Sequence, residues 1–276
     1  MSLSIREAVT PLAEKLGLYR VLRGIYRNTL GTEGRERRRR LKNFYSQFVA
    51  PGDLVFDIGA NIGVYTEVFV SLGPKVVAVE PNPECVRQIL RQVSPASATV
   101  IQSAVGDKEG TAKLNICSDP GLSSMNADWV NLAKNFPAFK RVEWAKEIEV
   151  NVTTIDLLCQ KNGQPKFLKI DVEGYEDKVL AGMSTPISCI SFEFASGRIE
   201  IAQRCLQILG SLYLFNYTIG EEGQLELSEW VSSDDLRKII PTVLNSGDST
   251  FGAFGDVIAR HRDLFPEQRA SLNRLA

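Results

Sequence analysis

Leu54-Val-Phe-Asp-Ile-Gly-Ala-Asn-Ile-Gly-Val-Tyr-Thr66 decides the fold: an apolar run ends in Asp57 and enters a turn spaced Asp57-x-Gly59-x-Asn61-x-Gly63 that opens a helical stretch. Strand, glycine turn and helix in that order begin a βαβ unit, and a ligand sits where such a strand ends. Gly59 permits a tight bend, Gly63 lets the helix start pack closely, and Asn61 tolerates a left-handed backbone. The free N–H groups of the helix start suit an anion, a carboxylate as readily as a phosphate. Asp57 would either bind a ligand ammonium or order the loop from below. The next apolar run, Val76-Val-Ala-Val79, ends in Glu80. Its distance from Asp57 is close to the roughly 20 residues at which an acid meets ribose hydroxyls.

Outward from this unit, short apolar runs alternate with helical stretches, the pattern of a doubly wound, mostly parallel sheet. Strands are expected to start near Leu54, Val76, Thr99, Phe167, Ile187, Tyr213 and Phe254, with helices over Tyr65–Leu72, Pro83–Gln92, Tyr175–Ala181 and Ile199–Leu209. The connection 107–165 is too long for a simple crossover and must carry structure of its own. Thr111–Cys117 and Glu147–Val152 alternate as strands do, so an inserted strand pair is expected, enclosing a segment from Ser118 to Trp144 that would act as a substrate lid or as a decorated loop.

Residues 1–50 show helical periodicity at Ile5, Val9, Leu12 and Leu16, at Leu18, Leu22 and Ile25, and at Leu41, Phe44, Tyr45 and Phe48, with Gly31-Thr-Glu-Gly34 as punctuation. They are read as an N-terminal helical extension to a domain over 51–262, followed by a tail over 263–276. The basic run Arg35–Lys42 reads as a solvated helix face.

Composition narrows the function. A net charge of -1 disfavours bulk nucleic acid as a partner. Cys85, Cys117, Cys159, Cys189 and Cys205 stand singly and read as reduced core thiols. No secretory leader or membrane span is evident, so the protein is expected in the cytoplasm. The single histidine, His261, cannot build a histidine-rich metal site and reads as surface or tail. A general base is therefore expected to be a carboxylate.

Lys166-Phe-Leu-Lys-Ile-Asp-Val-Glu-Gly-Tyr-Glu-Asp-Lys-Val-Leu180 supplies candidates. Its strand ends at Asp171 and should border the first strand, which puts Asp171 at the switch point facing the cofactor's reactive end. Glu173, two residues on, would point the same way if the chain stayed extended. Glu193 ends the next strand at the same edge, so three carboxylates are expected to converge, with burial and mutual repulsion raising at least one pKa. No metal is expected; Mg²⁺ on Asp171 and Glu193 is the alternative, since oxygen ligands suit it.

Two further features choose among nucleoside cofactors. Gly59-Ala-Asn-Ile-Gly63 lacks the middle glycine that lets a backbone approach a pyrophosphate, and Glu80 would repel a 2′-phosphate. S-adenosylmethionine, with a ribose and an amino-acid head but no pyrophosphate, fits better than NAD or NADP.

Phe56–Thr66, Val79-Glu-Pro-Asn-Pro83, Ala104-Val-Gly-Asp107, Ser123-Ser124 and Leu168-Lys-Ile-Asp-Val-Glu-Gly-Tyr-Glu176 together resemble the FkbM family of S-adenosylmethionine-dependent methyltransferases, over roughly Asp53 to Ala259. The resemblance implies a Rossmann-like class I methyltransferase with a seven-stranded sheet and an antiparallel final strand. It implies S-adenosylmethionine on Asp57, Gly59, Asn61, Gly63 and Glu80, with adenine near Ser103 and Ala104. Ala104 replaces the family's usual acid, so backbone or Asp107 would serve there. The implied reaction is O-methylation of a small-molecule or glycan acceptor, a sugar, glycolipid precursor or secondary metabolite. An N- or protein methyltransferase, a NAD-dependent oxidoreductase or epimerase, and a non-catalytic cofactor-binding module are the alternatives.

Overall fold

Val55, Phe56 and Ile58 are inaccessible to water, as in a strand covered on both faces. The computed structural model describes residues 32–134, 143–144, 146–220, 223–246 and 254–265. In chain order the elements are α1 (Thr32–Tyr45), β1 (Leu54–Ile58), α2 (Val64–Leu72), β2 (Lys75–Val79), α3 (Pro83–Gln92), β3 (Ala98–Ile101), β4 (Ala104–Val105), β5 (Gly110–Ile116) and α4 (Ala127–Ala133). They continue with β6 (Lys146–Thr153), α5 (Ile155–Asn162), β7 (Phe167–Ile170), α6 (Glu176–Ala181), β8 (Cys189–Ala195), α7 (Ile199–Leu209), β9 (Tyr213–Tyr217), α8 (Ser233–Ser246) and β10 (Phe254–His261).

The main sheet has seven strands in the order β3-β2-β1-β7-β8-β10-β9. β10 is antiparallel to both neighbours, while the other pairings are parallel. This is the doubly wound sheet expected from the sequence, with β1 and β7 side by side in the register Asp57↔Lys169 and Ile58↔Ile170. The chain winds from β1 toward β3 and, from β7, toward the other edge, so a crevice opens where β1 and β7 end.

Helices α1 to α3 cover one face, packing Phe44, Tyr45, Val68, Phe69 and Ile89 on Val55, Val76 and Phe167. Helices α5 to α8 cover the other, packing on Phe56, Ile58, Leu168, Ile170 and Phe192. Each fully buried side chain of this kind contributes about 1.5–3 kcal/mol.

Several expectations are corrected. In the described part of the N-terminal extension, α1 begins within the Gly31–Gly34 punctuation rather than after it, and Leu41, Phe44, Tyr45, Phe48 and Val49 are core. The periodicities over 5–25 lie outside the described residues. At the other end Phe265, assigned to a tail, is buried in the same cluster. The expected start of β8 at Ile187 moves to Cys189, because the Tyr213 hydroxyl takes both backbone groups of Ile187, donating to its carbonyl at 2.9 Å and accepting from its N–H at 3.0 Å.

The inserted pair proves to be a three-stranded sheet, β4-β6-β5. Ser103 makes the corner that peels the chain off β3, donating its hydroxyl to the carbonyls of Ala104 (2.9 Å) and Asn151 (3.0 Å). β5 and β6 pair antiparallel as expected, and α5, within the supposed insertion, is the crossover helix into β7. All five cysteines are free thiols. His261 is not a surface residue. It closes β10 with its ring edge-on to Tyr213 at 5.1 Å, and its Nδ1 accepts from the N–H groups of Asp263 and Leu264.

Candidate active site

The turn after β1 has the backbone its sequence requires: Gly59, Asn61 and Gly63 stand at φ 78°, 49° and 88°. Each glycine also has a neighbour at the place of a Cβ. At Gly59 a Cβ would overlap the carbonyl oxygen of Asp171, so the β1 and β7 loop ends touch backbone to backbone; at Gly63 it would sit 3.2 Å from Ile89. Asp57 is buried beneath this turn and accepts the Thr66 hydroxyl at 2.6 Å. This contact orders the loop from below. Burial pushes Asp57 up to about 6, against the Thr66 bond and the charge of Lys169.

Glu80 ties the second strand end to the first. Its Oε2 accepts the Asn61 N–H at 2.9 Å and its Oε1 accepts the Asn82 N–H at 2.8 Å. A carboxylate has about four lone-pair directions, so each oxygen retains capacity for a hydroxyl donor. Burial pushes Glu80 up to about 7, outweighing those two bonds. Glycine turn, helix start and diacceptor carboxylate fit the ribose and amino-acid head of S-adenosylmethionine. Asn61 stands where a pyrophosphate-binding loop would have its middle glycine.

Asp171, Glu173 and Glu193 do converge: one carboxylate oxygen from each lies within 4.8 Å of the other two. Glu173 does not arrive by an extended chain, however. It stands at φ 57°, a left-handed turn held from three sides. The Glu176 carboxylate accepts the N–H of Gly174 (3.0 Å) and of Val172 (3.3 Å), Ser124 Oγ donates to the Glu173 carbonyl (2.7 Å), and Asn126 Nδ2 donates to the Gly174 carbonyl (2.7 Å).

The cluster is balanced by two buried cations. Arg198 donates through Nη1 to Glu173 at 2.8 Å and through Nη2 to Glu193, and Lys169 Nζ lies 2.9 Å from Asp171 and 3.9 Å from Asp256. Burial raises Glu173 to about 7 although Arg198 pulls it down, and burial holds Glu193 well above the usual range against the same cation. Burial works against the Lys169 ammonium, and Asp171 and Asp256 outweigh it, leaving its pKa raised.

The segment after β5 lies on this site. Gly121 approaches the Asn61 side chain, Ser124 and Asn126 bond the turn at 173–174, and the Trp129 ring lies 4.4 Å from the Arg198 guanidinium. The described part of the expected lid therefore bridges both loop ends. Trp144 donates its ring N–H to the Leu122 carbonyl, bracing that segment, whereas Trp230 sits under Arg260 on the α1 face.

The third-strand residues are placed differently from the loop and acid groups. The Ser103 hydroxyl is bonded within the small sheet, Ala104 is buried in that sheet's core, and Asp107 faces Lys178 of α6 at 4.0 Å. Four contributors have no role assigned from the sequence. Lys169 leaves a signal, a lone cation inside the apolar run Phe167–Ile170, and Thr66 follows the glycine turn by one helical step. Glu176 and Arg198 leave none, since their partners are set by the turn and by packing.

Strand ends of this geometry at a doubly wound switch point define a Rossmann-like nucleoside-cofactor protein. The chain belongs to the methyltransferase FkbM domain family, whose model matches residues 57–224. It is 26% identical over 142 residues to the hexuronic acid methyltransferase AglP of Haloferax volcanii, covering 51% of this chain and 54% of that protein. It is 29% identical over 157 residues to the 31-O-demethyl-FK506 methyltransferase FkbM of Streptomyces tacrolimicus, covering 48% and 60%. The chain thus spans just over half the length of these curated relatives. Among solved structures it resembles a TehB-like SAM-dependent methyltransferase from Corynebacterium glutamicum (8% identity, 90% and 99% of the chains, TM-score 0.44). A precorrin-6y C5,15-methyltransferase from Geobacter metallireducens is similar at 11% identity (84% and 92%, TM-score 0.42).

Proposed function

We propose that the chain is an S-adenosylmethionine-dependent methyltransferase that methylates a hydroxyl oxygen of a sugar-like or secondary-metabolite acceptor. The observation that carries this reading is the convergence of Asp171, Glu173 and Glu193 beside a glycine turn whose anchor, Glu80, retains acceptor capacity for two hydroxyls. Family membership supports the methyl chemistry, and the two relatives, by their names, act on a hexuronic acid and on 31-O-demethyl-FK506. It also speaks against the dehydrogenase and epimerase alternatives.

Bound at the β1 and β2 ends, S-adenosylmethionine would supply an electrophilic methyl carbon. Glu80 would accept the ribose hydroxyls, and the turn Gly59–Gly63 would hold the amino-acid head above Asp57. Asp171, whose carbonyl touches Gly59, would stand where cofactor and acceptor meet, while Glu173 and Glu193 complete the oxygen cluster. A carboxylate in this cluster would take the acceptor's hydroxyl proton as the oxygen is methylated. Alignment by the fixed loop ends would supply much of the remaining acceleration.

The test is incubation with methyl-labelled S-adenosylmethionine and host small-molecule and polysaccharide extracts. Label is expected in an alkali-stable ether on a hydroxylated compound. Label in an amine or protein would instead identify another acceptor class, and cofactor binding without transfer to any fraction would identify a non-catalytic module. With the acceptor in hand, Asp171→Asn should bind cofactor within about threefold of the parent and turn over roughly 100-fold more slowly, the lower end of what a positioned base contributes. Parent-like turnover would remove Asp171 from the reacting groups.

A further inference from the structure

We propose that Arg198 is the positioning residue of the acid cluster: its guanidinium holds the Glu173 and Glu193 carboxylates together beside Asp171 and offsets their mutual repulsion. The inference rests on the methyltransferase reading for its purpose, but its physical content is independent of any ligand. Arg198 lies where no charge would stay without partners, with a side chain only 7% exposed. Its two terminal nitrogens each meet a different glutamate, Nη1 at Glu173 Oε2 and Nη2 at Glu193 Oε2. A planar fork spans two carboxylates in this way, whereas a lysine ammonium is a single point of charge.

The cation is aimed by its own turn. Gly197 at φ 83° reverses the chain after β8, and the Arg198 N–H donates to the Ala195 carbonyl at 3.1 Å, so the side chain at the start of α7 returns to Glu193. Trp129 of α4 packs its ring on the guanidinium at 4.4 Å, a further attraction for a cation. The charged groups that face Arg198 are Glu193 on β8, Asp171 and Glu173 on the turn after β7, and Glu176 on α6.

Carboxylates grouped within 4.8 Å repel one another, and in a site whose glutamate side chains are 17% exposed water screens little of it. The guanidinium opposes that repulsion, and its removal would push both glutamates further toward the protonated form, in which a carboxyl donates as well as accepts. With the guanidinium in place, the bonds to Arg198 engage Oε2 of each glutamate, and Oε1 remains for a hydroxyl of the acceptor.

The test is a carboxyl titration by NMR on protein labelled with ¹³C-carboxyl glutamate, with Glu173 and Glu193 assigned from E173Q and E193Q. In the parent Glu173 is expected to titrate at about 7. In Arg198→Met both glutamates should titrate higher by roughly one to three on the pH scale, the effect of losing an adjacent opposite charge. In Arg198→Lys one should stay near the parent value and the other should rise. Circular dichroism of each variant checks the fold, and S-adenosylmethionine calorimetry on the parent checks the reading on which the purpose rests. If Arg198→Met is unfolded, the lysine variant alone decides. Unchanged titration of both glutamates in either folded variant would overturn the proposal. Absence of cofactor binding in the parent would instead overturn the methyltransferase reading and leave the titration result standing.

Discussion

Glu80→Ala is expected to weaken S-adenosylmethionine binding at least 100-fold by titration calorimetry, to the edge of detection. The carboxylate holds both loop ends through Asn61 and Asn82, so its loss removes the ribose acceptor and loosens the turn that carries the rest of the cofactor. A charge-assisted hydrogen bond contributes about 1.5–3 kcal/mol, and two such bonds to ribose correspond to 100-fold or more, at about 1.4 kcal/mol per tenfold. Binding as strong as the parent's would dismiss Glu80 as the ribose ligand.

The same residue gives a pH dependence with two opposite signs. Because burial raises Glu80 to about 7, parent binding should be tighter at pH 8, where the acceptor is a carboxylate, than at pH 6. Stability runs the other way. A group whose folded pKa lies above its unfolded value stabilises fully below the unfolded pKa, and that contribution is lost as pH rises through the folded one. For Glu80 the loss extends from about 4.5 to about 7, and Asp57, raised to about 6, adds in the same direction. The ligand-free protein should therefore melt higher at pH 6 than at pH 8, and Glu80→Gln should reduce that difference. An unchanged difference in the glutamine variant would place the titration elsewhere.

Gly59→Ala is expected to cost about 3 kcal/mol, a drop in melting temperature of roughly 6–12 °C for a chain of this size, and to abolish cofactor binding. Part of the cost is the left-handed backbone, φ 78°, which an L side chain adopts at about 1–2 kcal/mol. The rest is collision, since the new methyl would overlap the Asp171 carbonyl and force the β1 and β7 loop ends apart. Gly52→Ala separates the two parts. Gly52 has a similar φ, 86°, but nothing within 4 Å of its Cβ position, so it should show the backbone cost alone. Equal melting shifts in the two variants would mean that the contact with Asp171 is not tight.

The legible features share a physical cause. A strand buried on both faces must be apolar throughout, a left-handed turn selects glycine or asparagine, and a doubly wound sheet places its ligand at strand ends. Each constraint acts within a few residues of chain. Val55–Ile58, Gly59, Asn61, Gly63 and the strand-end acids Asp57, Glu80, Asp171 and Glu193 are accordingly readable from residue type and spacing. His261 is misread as surface because an imidazole beside the chain end carries no local sign of burial; the packing of β10 on β9 under Tyr213 encloses it. Ser103 and Ala104 sit at a corner whose direction depends on β6, nearly fifty residues later, through the bond from Ser103 to the Asn151 carbonyl.

By itself, then, the sequence determined the doubly wound sheet, the conformation of the glycine turn and the identity of the acids at its edge, because backbone sterics and hydrophobic periodicity are local. Only the tertiary structure decided how those acids are held. Glu173 meets Arg198 across 25 positions and Ser124 across 49, and Asn61 meets Glu80 across 19. Contacts of that range are selected by packing and by the need to pair every buried charge, so no spacing in the chain announces them.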